Sequence, residues 1–141
     1  MPAKANAEWQ GDLRSGAGTF TAGDSIHGEY SFRTRFEDAP GANPEQLIGA
    51  AHAACFSMAL SNALAQAGTP VDSVKTGAVV TIRQIDGQAT IASIALSTVG
   101  VVPGIDQATF ERFAQDAKAG CIVSRALAGV PEITLEATLA G

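Results

Sequence analysis

Asn43-Pro44-Glu45-Gln46-Leu47-Ile48-Gly49-Ala50-Ala51-His52-Ala53-Ala54-Cys55-Phe56-Ser57-Met58-Ala59-Leu60, continuing to Ala67, reads as one long helix. Asn43 suits the N-cap, because its side-chain oxygen can accept from a first-turn N–H. Pro44 fits the first helical position, where its missing donor costs nothing. Gln46 is placed to close a capping box with Asn43, and Glu45 puts negative charge at the positive end of the helix dipole. Strong helix formers follow, with no further proline until Pro70. Gly68 is placed as the C′ residue. The segment is apolar around most of its circumference, and such a helix is normally buried.

Working outward, residues 1–7 read as a loose end. Short strands are expected at Glu8–Asp12 and Gly18–Ala22, around a Gly-rich turn at Ser15–Gly18. His27–Phe36 reads as a better strand, with Tyr30 and Phe32 on one face and Arg33 and Arg35 on the other. A loop from Glu37 to Ala42 delivers the chain to Asn43. Beyond the long helix, Ser73–Ile85 carries a β signature. Asp86-Gly87 signals a hairpin, and Ala89–Val102 is the returning strand. Asp106 can cap a second helix from about Gln107 to Lys118, ended by Gly120. Cys121 begins a short helical stretch to Leu127, and Ile133–Leu139 forms the last strand. This order predicts a single α+β domain over residues 1–141, an antiparallel sheet covering two helices. The two strand groups could also be shared between subunits.

The 141 residues suffice to bury a core without staples. Hydrophobic residues make up 46% of the chain and charged ones 16%, so part of the apolar surface is expected to hide in an oligomer. A net charge of −5 argues against nonspecific nucleic-acid binding. No signal peptide is apparent. Gln46, His52, Ser57, Ser61, Asn62 and Gln66 interrupt the long helix, which argues against a membrane span. Two cysteines are too few for a secreted disulfide framework, so a cytoplasmic location fits.

His27 and His52 have no metal spacing, and neither cysteine lies in a CxxC pair, so neither a metal nor another cofactor is expected. Phosphate-loop and nucleophile-elbow patterns are missing. Thiol chemistry remains. Cys121 falls at a helix start, where unpaired N–H groups favour a thiolate. Cys55 lies mid-helix, where the dipole does little. It is either a small core residue or a reactive thiol that needs a cation, with Arg35 the best candidate and Arg33 the next. His52 lies one turn before Cys55. It is either a surface neighbour of that thiol or a core histidine with one satisfied nitrogen.

The Asn43–Leu60 stretch resembles the first cysteine motif of the OsmC/Ohr family of peroxide-reducing proteins. Ala119-Gly120-Cys121-Ile122-Val123-Ser124-Arg125-Ala126-Leu127 resembles the second. Trp9, Gly11 and Asp12, then Thr34-Arg35-Phe36-Glu37 and Val102-Pro103-Gly104-Ile105, match in order and spacing. His52 and Phe56-Ser57-Met58 bring the chain closer to the OsmC branch. The resemblance implies antiparallel sheets with two central helices, in an intertwined homodimer with two sites at the subunit interface. It implies that Cys55 is the peroxidatic nucleophile, Cys121 the resolving cysteine, and Arg35 and Glu45 the site's arginine and glutamate. It further implies a hydroperoxide substrate and a dihydrolipoyl group or small dithiol as reductant. The family's second motif usually reads Cys-Pro-Val-Ser, and here Ile122 stands in place of the proline whose ring would fix that turn. A noncatalytic ligand-binding or redox-sensing protein with the same cleft is the alternative, because a fold can host several tasks.

Helix arithmetic adds one expectation. At about 1.5 Å per residue, Glu45 and Cys55 fall roughly 15 Å apart along the axis. Glu45 is therefore expected to serve the Cys55 of the other subunit, across antiparallel long helices. Gly49, Ala50, Ala53 and Ala54 would let those helices approach closely.

Overall fold

The computed structural model describes residues 1–140. The chain gathers into two compact units, Met1–Leu47 and Ile48–Gly141. In the first, β1 (Ala5–Gln10), β2 (Ala17–Ala22) and β3 (Ile26–Tyr30) form an antiparallel meander. Trp9 closes the first turn, where its Nε1–H donates to the carbonyls of Gly11 and Asp12 at 3.0 and 3.2 Å. The ring of Tyr30 packs between those of Trp9 and Phe20, with centroids 5.4 and 6.0 Å away. Gly18 is buried beneath Trp9 and Tyr30, where a Cβ would meet ring atoms at 2.6 and 2.7 Å.

The strand expected to run on to Phe36 stops at Tyr30. A short helix, α1 (Phe32–Phe36), replaces its second half. Ser31 and Thr34 form a reciprocal capping box: the Ser31 N–H donates to Thr34 Oγ1 at 2.9 Å, and the Thr34 N–H donates to Ser31 Oγ at 3.3 Å. Two satisfied donors outweigh the weak alternation of Tyr30 and Phe32, so Arg33 and Arg35 lie on a helix rather than on one face of a strand. The Asn43 side chain then joins two elements. Its Nδ2 donates to Thr34 O at 2.9 Å near the end of α1, and its Oδ1 accepts from the Gln46 N–H at 2.8 Å. The second bond starts the long helix α2 (Pro44–Gln66) at the expected cap.

In the second unit, Gly68 ends α2 at φ 87°. The N–H of Gly68 donates to Ala65 O at 3.0 Å and that of Thr69 to Leu64 O at 2.9 Å, the paired bonds of a Schellman stop. His52, Phe56, Leu60 and Leu64 form a buried stripe at the spacing of a helix ridge. The last three join Ile94, Leu96, Phe110, Ala114 and Ala117 in one core cluster. Burial all round the helix is not what the chain shows. Ala51, Ala54 and Met58 on the opposite side are exposed, Met58 at 75%.

β4 (Ser73–Ile85) and β5 (Gln88–Val101) form a long antiparallel hairpin. Asp86 and Gly87 turn it with φ values of 52° and 76°, as a two-residue primed turn requires. β6 (Glu132–Leu139) pairs with β5 in parallel, so this sheet is mixed rather than wholly antiparallel. A parallel neighbour needs a crossover. It is supplied by α3 (Gln107–Gly120), capped by Asp106, and by α4 (Ile122–Ala126). The Gln107 side chain satisfies the backbone of β6 with Nε2–H donating to Ala137 O at 2.9 Å and Oε1 accepting from the Leu139 N–H at 2.7 Å.

Cys121 separates α3 from α4. It has φ −55° and ψ 133°, an extended conformation that a following proline accepts. Ile122 is 70% exposed at the first position of α4, where an N–H is not needed. Ile122→Pro is therefore expected to stabilise the fold by about 0.4–1 kcal/mol by restricting the unfolded chain. The check is a higher urea midpoint at unchanged slope.

Candidate active site

α2 and the α3–α4 corner bring the two sulfurs together. Both cysteines are free thiols; Cys55 is half-buried and Cys121 is buried. The backbone holds Cys121 from both sides. Its N–H donates to Ala117 O at 2.9 Å, and its carbonyl accepts from the Arg125 N–H at 3.0 Å. Burial pushes the Cys121 thiol up, but hydrogen bonds more than reverse this. They come from the Cys55 side chain, from the backbone and hydroxyl of Ser124, and from the backbone of Val123, and they hold the thiol below its usual range. Exposure separates the two thiols: Cys55 keeps a face to solvent, while Cys121 is 1% exposed.

His52 is fully buried on α2. Its Nε2 lies 2.7 Å from Ser124 Oγ, and its Nδ1 has no partner. It is the core histidine with one satisfied nitrogen, and burial lowers its pKa. Ser124 did not emerge from the sequence as a site residue. The available signal was its place in Cys121-Ile122-Val123-Ser124, where a side chain three residues into a helix turns back toward the residue before the first turn.

The first unit holds the charged pair. Arg35 Nε donates to both Glu45 oxygens, at 3.0 and 3.3 Å, and Nη2 donates to Oε1 at 2.7 Å. The Glu45 side chain is 8% exposed and that of Arg35 38%, so the carboxylate is sunk and the guanidinium keeps a face to solvent. Such a charge-assisted fork fixes the cation's orientation. Arg33, the alternative cation, lies 3.6 Å from Glu37 in an open surface pair. Among the described residues, no group of three or more His, Cys, Asp or Glu side chains is arranged to hold a metal ion.

Residues 36–136 match the family of OsmC-like proteins. The chain is 48% identical over 135 residues to peroxiredoxin OsmC of Escherichia coli, covering 94% of this chain and 93% of that one. An OsmC-like protein of unknown function from Vibrio cholerae superposes with a TM-score of 0.75 at 16% identity, covering 97% and 99% of the two chains. The organic hydroperoxide resistance protein OhrB of Bacillus subtilis gives 0.69 at 22%, covering 97% and 98%. At these identities the two structures speak for the fold alone.

The buried histidine sets a pH dependence. Its folded pKa lies below the ordinary 6.5, so the unfolded chain takes up a proton that the folded chain refuses. Stability is therefore expected to fall as pH drops from about 6.5 toward the lower folded value. Urea unfolding at stepped pH should show the decline in the native chain and a flatter profile in His52→Leu.

Proposed function

The chain belongs to the OsmC family, and on that footing we propose that it is a cysteine-based peroxidase that reduces hydroperoxides through Cys55 and Cys121. The observation that carries this is the pair of free thiols brought beside each other, one member half-open to solvent and the other enclosed. The Cys55 thiolate attacks the distal peroxide oxygen. The O–O bond breaks, Cys55 becomes a sulfenic acid, and an alcohol, or water from hydrogen peroxide, departs. The Cys121 thiol then displaces the sulfenic oxygen as water, and a Cys55–Cys121 disulfide remains. An external dithiol, either a dihydrolipoyl group or a small thiol compound, reduces it. The setting is the cytoplasm, where such reductants prevail.

In this scheme Arg35 supplies the positive charge that steadies the thiolate and orients the peroxide, and Glu45 holds its guanidinium. The protein acts as a homodimer over a single 141-residue domain, without cofactor or metal and with neither nucleic acid nor membrane as partner. Two observations favour the dimer. The face of α2 carrying Ala50, Ala51, Ala54 and Met58 is apolar and uncovered, and its alanines keep side chains short along the helix. The arithmetic of roughly 15 Å between Glu45 and Cys55 along one helix favours a site completed by the partner subunit's arginine–glutamate pair.

Cys55→Ser is expected to bring dithiol-coupled hydroperoxide consumption to background. Cys121→Ser should still oxidise at Cys55 but lose turnover driven by dithiols. Unimpaired consumption by Cys55→Ser would end the proposal. The shared site is tested by unfolding and reannealing two inactive variants, Glu45→Ala and Cys55→Ser, together. A site built across subunits regains activity in the mixed dimer, and a site built within one chain does not.

A further inference from the structure

A histidine without contact to solvent, bonded through one nitrogen and bare at the other, is an expensive way to fill a core. An apolar side chain of similar size would avoid the cost. The ring does one visible thing: its Nε2 lies 2.7 Å from the hydroxyl of Ser124, which stands on the first turn of α4, three residues beyond Cys121 at that helix's N-cap. We propose that His52 is a positioning residue, whose Nε2–H fixes the Ser124 hydroxyl so that its proton points at the sulfur of Cys121 and readies that thiol to close the disulfide. This rests on the peroxidase reading of the thiol pair and concerns its second step only.

The proton inventory supports the direction. Ser124 has one hydroxyl proton. If it were donated to Nε2, the hydroxyl could offer Cys121 only a lone pair, which would disfavour a thiolate. Nδ1 would then carry a buried N–H with no acceptor. If Nε2 carries the proton and donates, the serine proton is free for the sulfur and Nδ1 is left as a bare acceptor, the more tolerated defect in an interior. Burial keeps the ring neutral, with one proton to place. The thiol held below its usual range agrees with a hydroxyl that donates to it.

Besides His52, the ionisable groups carried by the three helices are Glu45 and Cys55 on α2, Glu111, Arg112, Asp116 and Lys118 on α3, and Arg125 on α4. The step itself balances. The Cys121 sulfur forms a bond to the Cys55 sulfur, the Cys55 S–O bond breaks, and the proton given up by Cys121 leaves with that oxygen as water. The resting ring and hydroxyl are unchanged at the end.

The test separates the two steps. Rapid mixing with hydroperoxide reads Cys55 oxidation and then disulfide closure. His52→Leu should leave the first rate unchanged and slow the second by roughly tenfold, equivalent to about one pKa unit. His52→Gln, which keeps an N–H near the position of Nε2, should recover most of the loss. Ser124→Ala should behave like His52→Leu, and Ser124→Thr like the native chain. A second measurement needs no peroxide. With Cys55→Ser as background, Cys121 is the one thiol left, and its thiolate absorbance is titrated against pH. The midpoint should rise by roughly one unit with His52→Leu and return with His52→Gln. Equal slowing of both steps, no recovery by glutamine, or an unmoved midpoint would overturn the proposal. A native chain that never oxidises at Cys55 would overturn the peroxidase reading instead, and the titration would still decide the role of His52.

Discussion

The approach of two free thiols is the contact on which the second unit converges. Cys55 is delivered by the longest helix, and Cys121 by a corner between two others. The corner works because its backbone bonds are all placed. α3 closes onto the Cys121 N–H, and α4 opens from the Cys121 carbonyl. The extended φ and ψ of Cys121, just after Gly120, break the helix direction without a proline. The parallel strand β6 requires a crossover at this point in the chain, and the corner that carries Cys121 is part of that crossover.

The arrangement divides labour by access and solvation. The half-open thiol can meet a reactant, and the enclosed one is kept from it. Ordinary burial would disfavour the charged form of the enclosed thiol, yet several donors on one sulfur reverse that penalty. The Arg35–Glu45 fork follows the same logic with opposite exposure. The carboxylate is sunk and fully used, and it holds a guanidinium that still faces outward.

Much of this was legible in the sequence wherever one local signal dominated. Asn43 with Gln46, and Gly68, set the ends of α2. The Val and Thr alternation of Ser73–Ile85 and the Asp86-Gly87 pair set the hairpin. Asp106 set the start of α3. The misreadings have physical causes. Through Phe36, a faint alternation competed with a capping box whose members, Ser31 and Thr34, resemble loop residues on paper. Strand direction is not written in β6 itself, because it depends on the length and hand of the preceding connection. The apolar circumference of α2 suggested burial on all sides, but one chain supplies packing partners for one side only. For the site, the family motifs singled out Cys55, Cys121, Arg35 and Glu45. They held Ser124 as a member of the second motif but gave it no role, because its bond is to a residue far away in the chain.

Asn43 joins α1 to α2 through both ends of one amide, with Thr34 as acceptor and Gln46 as donor. Asparagine is the side chain that ages fastest in many proteins, because the next residue's backbone nitrogen can close a ring on the amide carbon and expel ammonia. Pro44 has no N–H to lose in that reaction. The same proline that starts the helix thus shields its clasp from spontaneous deamidation, a form of durability that no contact energy records.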